Sequence, residues 1–144
     1  MRELRDLVER YAEGVDRREF DEVAALFRPD AVLRIPGRRL TELDEHAGTA
    51  AIAAALRGVE RTVATMHAIT GQTISLDGTT ATGSVSCLAH HLVDTGEGRG
   101  SHVWVVRYAD RYVFTDESWW FASRELQVRW IESHEVIWSA APSV

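Results

Sequence analysis

From residue 65 to residue 91 the sequence reads TMHAITGQTISLDGTTATGSVSCLAHH, and this stretch decides the fold. The Asp77-Gly78 pair in its middle is typical of a tight hairpin turn, because both residues tolerate positive φ. The β-branched and apolar residues on either side predict two antiparallel strands. Because side chains alternate between the faces of a strand, the apolar face of the return strand ends at His91, while His90 points to the opposite face.

A second histidine of the hairpin, His67, lies on the outgoing strand. Pairing through the turn places it roughly opposite the beginning of the His90-His91 region. The imidazoles of His67 and His91 are therefore expected to converge on one face of the sheet. The same spacing also fits two histidines that are simply hydrogen-bonded in the core or at the surface.

The composition is that of a globular protein, and it excludes several function classes. With 144 residues, 45% of them apolar, we expect a single domain over residues 1–144 with a core of its own. The net charge is −6 and there is no basic run, which argues against nucleic acid and membrane surfaces as partners. No apolar run approaches the ~20 residues that span a bilayer. The sequence has no Lys and no Asn, so a Schiff-base lysine and an Asn oxyanion donor are excluded.

The beginning of the chain and its cysteine content predict a cytoplasmic protein. The first residues are charged and have a helical pattern, unlike a signal peptide. Cys87 is the only cysteine, so an intrachain disulfide cannot form. This composition suits a reducing compartment.

The order of the predicted elements indicates an α+β fold. The predicted helices cover residues 2–15, 19–27 and 42–57. Pro29-Asp30 is expected to end the second helix, and Gly58 is expected to be the C-cap of the third. Besides the hairpin, the predicted strands cover residues 31–35, 101–115 and 119–130, with a possible short tail at 132–138. Helices first and mostly antiparallel strands afterwards predict a curved sheet whose concave face is covered by the helices. Such a sheet leaves a pocket for a small ligand.

Several motifs resemble SnoaL-like domains of the nuclear transport factor 2-like superfamily. They are YAEGVDRREFD at 11–21, LFRPDA at 26–31, TMH at 65–67, AHH at 89–91, WFASR at 120–124 and RW at 129–130. Together they look like the branch of scytalone dehydratase and bile-acid 7α-dehydratase, over roughly residues 4–131. The resemblance implies a cone-shaped α+β barrel and a cofactor-independent enzyme.

The resemblance also implies roles for four residues. Asp16 and His67 match the catalytic Asp and His of this branch, His91 matches the second active-site His of scytalone dehydratase, and Tyr11 matches a Tyr of the bile-acid enzyme. Two positions depart from the scytalone enzyme, because Val15 and Ile35 stand where it has tyrosines. This departure puts scytalone itself in doubt as the substrate.

Each of these residues also has a plainer interpretation. Asp16 with Glu19 has the spacing of a helix N-cap and its partner, and Tyr11 fits the apolar face of a helix. As catalytic groups, Asp16 would orient His67, His67 would carry a proton between carbon and a leaving hydroxyl, and His91 would be a second proton donor. The Tyr11 hydroxyl would polarise a substrate carbonyl.

The remaining expectations concern the pocket wall and the other histidines. Residues expected to bind substrate are Phe20, Ile35, Val85, Cys87, Trp104, Val106 and Tyr108. For Trp104, core packing is the alternative. The histidines expected at the surface are His46, His102 and His134.

The predicted function is that of a lyase or isomerase acting on a small apolar carbonyl compound, such as a polyketide, a steroid-like molecule or a terpenoid, with dehydration favoured. One alternative is a module of the same fold that binds a small molecule without catalysis. Another is a metal site of two His and one carboxylate. Both faces of the last strand carry aromatic residues, so we also expect a homodimer or homotrimer formed through the outer sheet face, with His90 at or near the interface.

Overall fold

The computed structural model describes residues 1–137 as one curved, open sheet of six strands with helices on one side. The helices are α1 (Arg2–Asp16), α2 (Phe20–Ala24) and α3 (Thr49–Leu56), and a 3₁₀ helix (Arg57–Arg61) follows α3. The strands are β1 (Phe27–Pro36), β2 (Leu43–Ala47), β3 (Ala64–Asp77), β4 (Thr80–Thr95), β5 (Gly98–Thr115) and β6 (Ser118–Glu135). Their order is β2-β1-β6-β5-β4-β3, with β1 and β6 parallel and the other neighbours antiparallel. The predicted α+β class is confirmed.

Helix α1 packs against the sheet through the apolar stripe that its sequence predicts. The buried residues of the helix recur every three to four positions, as in Leu4, Leu7, Val8, Tyr11, Ala12, Gly14 and Val15. The helix ends where Arg18 adopts a left-handed conformation with φ 63°. This end brings Asp16, the last helical residue, to the beginning of β3. No helix within residues 1–137 is long and apolar enough to cross a membrane.

The two strands of the central hairpin are confirmed, but the turn residues are Gly78 and Thr79 instead of Asp77-Gly78, with positive φ at Gly78 alone of the three. A bulge in β3 sets the register. The pairing runs from Asp77 opposite Thr80 to Gly71 opposite Ser86, and then skips one residue. Without this skip His67 would pair with His90 and face outward, because paired residues share a face. With it, His67 pairs with Ala89 and lies on the same face as His91, as the convergence of the two imidazoles requires.

The structure corrects the predictions for residues 19–58. Helix α2 stops at Ala24, and Pro29-Asp30 lie inside β1 rather than breaking a helix, because Phe27 already pairs with β6. Residues 42–57 do not form one helix, since residues 43–47 pair with β1 as the edge strand β2. Gly48, with φ 86°, separates this strand from α3, and Gly58 lies within the 3₁₀ helix.

The last strands are longer than predicted. Strand β5 begins at Gly98 instead of residue 101, and β6 continues through the predicted short tail to Glu135. Trp138, the end of that predicted tail, lies outside the described residues. A register shift between β5 and β6 at Arg111/Tyr112 alters the simple alternation, so that Phe121 and Arg124 both face the helices.

Candidate active site

The centre of the site is a hydrogen-bonded pair formed by the end of α1 and the beginning of β3. Oδ1 of Asp16 accepts hydrogen bonds from Nδ1 of His67 at 2.7 Å and from the Thr65 hydroxyl at 2.8 Å. Oδ2 accepts one from the backbone N–H of His67 at 2.9 Å. Burial alone would raise the pKa of Asp16, but the hydrogen bonds from His67 and Thr65 outweigh it, so the pKa lies below its usual value. The side chain is therefore a carboxylate at neutral pH, and it is not used as a helix cap.

The Asp16 carboxylate also determines the tautomer of His67. An ionised carboxylate can only accept hydrogen bonds, so Nδ1 of His67 carries the proton and Nε2 carries the lone pair. The His67 side chain is only 8% exposed and lies in the wall of the cavity. This arrangement presents a nitrogen base, supported by a negative charge behind it, to whatever the cavity holds.

His91 lies beside His67 on the adjacent strand, with ring centres 6.2 Å apart. Its Nδ1 donates a hydrogen bond to the backbone carbonyl of His102 at 3.2 Å, which leaves Nε2 with the lone pair. Burial lowers the pKa of His91, and the nearby positive charge that His67 can carry lowers it further. His91 is therefore neutral at pH 7, and its geometry suits a hydrogen-bond acceptor better than the predicted proton donor.

The two histidines open into one cavity of about 400 Å³ between the helices and the sheet. Its wall is mostly apolar and includes four of the residues expected to bind substrate, namely Ile35, Trp104, Val106 and Tyr108. Tyr11 also lines it, and the ring of Trp104 lies 5.2 Å from that of His91. Such a volume and lining are typical of sites for small organic ligands.

Three residues expected to bind substrate lie in the core instead of on the cavity wall. Val85 and Cys87 are on the predicted face of β4, but they belong to the core, where they are no more than 1% exposed. Burial also raises the pKa of the Cys87 thiol to about 11, so it is not a nucleophile at neutral pH. Phe20 belongs to α2 and packs under the guanidinium of Arg57 at 5.4 Å.

A buried charge lies beneath the aromatic floor of the cavity. Arg124 forms two hydrogen bonds to Asp110, at 2.8 and 3.0 Å, and both side chains have no exposed surface. Its guanidinium lies 4.3 Å from the ring centre of Tyr11 and 3.8 Å from that of Tyr108. Burial raises the pKa of Tyr11 to about 12, although Arg124 opposes this shift. Tyr11 is thus a neutral hydroxyl donor held in a rigid aromatic cluster.

Sequence reasoning missed three residues around the cavity. His102 is exposed, as predicted, but it also lines the cavity, as does Arg61, and Thr65 holds the carboxylate of Asp16. His102 is two positions from Trp104 on β5, so strand alternation alone would have placed both side chains on the cavity face. Thr65 is likewise two positions from His67 on β3, so the two side chains share a face.

The arrangement does not fit the alternative of a metal site with two His and one carboxylate. No group of three potential ligands among His, Cys, Asp and Glu is close enough to hold an ion within residues 1–137. Asp16 instead directs its oxygens at His67 and Thr65. A carboxylate used in this way orients a base and is not available beside it as a ligand.

The comparison with protein families agrees with the fold and with the resemblance seen in the sequence. A family model described as a SnoaL-like domain matches residues 1–125. No curated protein gives a significant match.

Similar solved structures extend this result. A provisional scytalone dehydratase from Novosphingobium aromaticivorans is 24% identical with a TM-score of 0.79, over 95% of this chain and 89% of that one. A hexachlorocyclohexane dehydrochlorinase, LinA type 2, is 20% identical with a TM-score of 0.81. The match covers 99% of this chain and 93% of that one. An NTF2-like protein with a cystatin-like fold, also from N. aromaticivorans, is 22% identical with a TM-score of 0.73. The match covers 89% of this chain and 80% of that one. These likenesses confirm the predicted NTF2-like fold.

Proposed function

The chain belongs to the SnoaL-like domain family, and we propose that it is a cofactor-independent lyase or isomerase acting on a small apolar carbonyl compound. The observation that carries this proposal is the Asp16–His67 pair, with its 2.7 Å hydrogen bond, at the wall of an apolar cavity. Two solved structures of the same fold are described as a provisional scytalone dehydratase and a dehydrochlorinase, and both names denote eliminations. Dehydration is therefore the reaction that we favour.

In the proposed reaction His67 carries one proton in two steps. Its Nε2 takes the proton from the carbon next to the carbonyl, and the electron pair of that C–H bond passes into the enolate. The negative charge of Asp16 stabilises the imidazolium that forms. As the enolate collapses, the C–O bond to the neighbouring hydroxyl breaks, and His67 returns its proton to the departing oxygen as water forms. No other reactant is needed, and the base is regenerated.

The other polar groups of the cavity would bind the two oxygens of the substrate. The Tyr11 hydroxyl, neutral because its pKa is raised to about 12, can donate to the carbonyl oxygen on which negative charge develops. Nε2 of His91 can accept a hydrogen bond from the hydroxyl that leaves, and so hold it near His67. Ile35, Trp104, Val106 and Tyr108 would pack against the carbon skeleton and exclude water.

A model substrate with the required groups is 3-hydroxy-1-tetralone, whose dehydration gives 1-naphthol, which is followed by absorbance. We expect His67→Ala and Asp16→Asn to lower kcat/KM by roughly 10²–10⁴, the usual contribution of a positioned proton-transfer group. Asp6→Asn is the matched control, because Asp6 lies on the same helix with its side chain 64% exposed. Unchanged rates in the two site variants would contradict the proposal. Binding without turnover over a panel of β-hydroxy ketones would favour the non-catalytic alternative.

We also propose that the protein is a homodimer or homotrimer formed through the outer face of the sheet. One row of paired residues crosses four strands on this face and is entirely apolar, namely Ala68, Leu88, Val105 and Trp130. The adjacent row begins at Met66 and includes His90. Met66 and Trp130 are 64% and 56% exposed, as expected of side chains that a second copy would cover.

A further inference from the structure

The permanent charge in the described cavity wall has the opposite sign to the chain as a whole. The protein carries a net charge of −6, yet no carboxylate lies among the described residues of the cavity wall. Arg61 is the permanently charged side chain among these residues, and the histidines of the wall, His67, His91 and His102, cannot carry a negative charge. The oxygens of Asp16, behind His67, are already engaged by His67 and Thr65, and the Asp44 carboxylate lies next to Gly37 of the wall. A concave site of one sign focuses the field on ligands of the other sign.

Arg61 is the permanent charge in this set, and it lies at the rim. It is exposed, and it forms no ion pair with any residue in the described part of the chain. Its guanidinium is therefore available to a ligand. Tyr11, Tyr108 and His67 line the same cavity, but unlike Arg61 their side chains are almost fully buried.

The segment that carries Arg61 is held in place by a second arginine. Nη2 of Arg18 donates to the backbone carbonyl of Thr62 at 3.1 Å and to its hydroxyl oxygen at 3.3 Å. The Thr62 hydroxyl in turn donates to the Val59 carbonyl at 2.6 Å. Nη1 of Arg18 is buried with no hydrogen-bond partner among residues 1–137, so its charge is not compensated by an acceptor there. Two positive charges thus flank Thr62 at the rim, on a backbone that is fixed by hydrogen bonds.

Most of the remaining wall is apolar, with Leu56, Val59, Val93 and Leu126 among its residues. We propose that the substrate is an apolar carbonyl compound that also bears a carboxylate, with this anionic group held at the rim by Arg61 and the carbonyl at the His67 end. The inference rests on the proposed function, because it takes this cavity as the substrate site.

The experiment compares two ligands of nearly the same shape, 2-naphthoate and 2-naphthamide, which differ in charge. Each is titrated to displace N-phenyl-1-naphthylamine, an uncharged fluorescent probe, and the dissociation constants are compared. We expect 2-naphthoate to bind more tightly to the wild type, and Arg61→Gln to weaken its binding about fivefold, as for the loss of ~1 kcal/mol of a partly exposed ion pair. The binding of 2-naphthamide should be unchanged in this variant.

Arg2→Gln is the control, because it removes the same charge from a side chain that is 93% exposed at the far end of α1. It should leave both dissociation constants at the wild-type values. Equal affinity of the wild type for the two ligands, including no displacement by either, would overturn the inference. So would equal effects of Arg61→Gln and Arg2→Gln on 2-naphthoate. Since the assay needs no turnover, its result is independent of whether His67→Ala abolishes catalysis.

Discussion

The buried ion pair beneath the cavity predicts a large loss of stability on a small chemical change, Asp110→Asn. Arg124 donates from two nitrogens to the two oxygens of Asp110, and the Tyr112 hydroxyl donates to one of those oxygens at 2.8 Å. An Asn side chain has only one oxygen, so its NH₂ group would face a donor. The guanidinium cannot turn to water, because it is packed between aromatic rings and has no exposed surface.

The expected cost follows from this geometry. Removing one partner of a fully buried ion pair costs about 3–5 kcal/mol, because the remaining charge is uncompensated. With a urea m-value of about 2 kcal/mol/M, the midpoint of unfolding should fall by roughly 1.5–2.5 M. The double variant Asp110→Leu with Arg124→Met removes both charges and should recover at least half of this loss.

Urea unfolding, followed by circular dichroism on the wild type and the two variants, provides the measurement. The m-value should stay constant, so that the midpoints can be compared directly. A loss below about 1 kcal/mol for Asp110→Asn would show that the pair is solvated and that the reasoning is wrong. A double variant less stable than the single one would also contradict it.

Two further predictions concern pH and assembly. Because the folded-state pKa of Asp16 is lowered, its carboxylate contributes stability that is present above the unfolded pKa of about 4 and is lost as the pH falls through the folded pKa. The difference in the free energy of unfolding between the wild type and Asp16→Asn should therefore shrink from pH 5 to pH 3, and a constant difference would contradict the assigned hydrogen bonds. Light scattering at micromolar concentration should give the wild type two or three times the monomer mass, and Trp130→Glu should lower it; a monomeric wild type would refute the outer-face interface.

The sequence was most informative where one local pattern had one structural solution. Alternation along β4 predicted that His91 faces the cavity and His90 the outer face, and the structure confirms both orientations. The stripe on α1 was equally unambiguous, because it is set by nearest-neighbour geometry. The hairpin turn was predicted one residue too early, because Asp77 still pairs with Thr80 and the turn residues are Gly78 and Thr79.

Long-range pairing explains the features that the sequence could not predict. The Ala-rich residues 42–57 have good helix propensity, but pairing with β1 overrides it for residues 43–47. The bulge in β3 brings His67 to the cavity face, although Thr70-Gly71 gives only a weak local indication of it. The role of Asp16 likewise depends on β3, which is 49 positions away at Thr65.

The central claim is that His67 is a base directed at a carbon acid, and proton exchange tests this claim without an identified substrate. The rate at which 1-tetralone exchanges its α-protons in D₂O can be followed by NMR with the wild type, with His67→Gln and with the control His134→Gln, since the His134 side chain on β6 is 55% exposed and does not line the cavity. We expect the His67→Gln rate to fall by roughly 10²–10⁴, and His134→Gln to match the wild type. A wild type that exchanges no faster than His67→Gln would contradict the account.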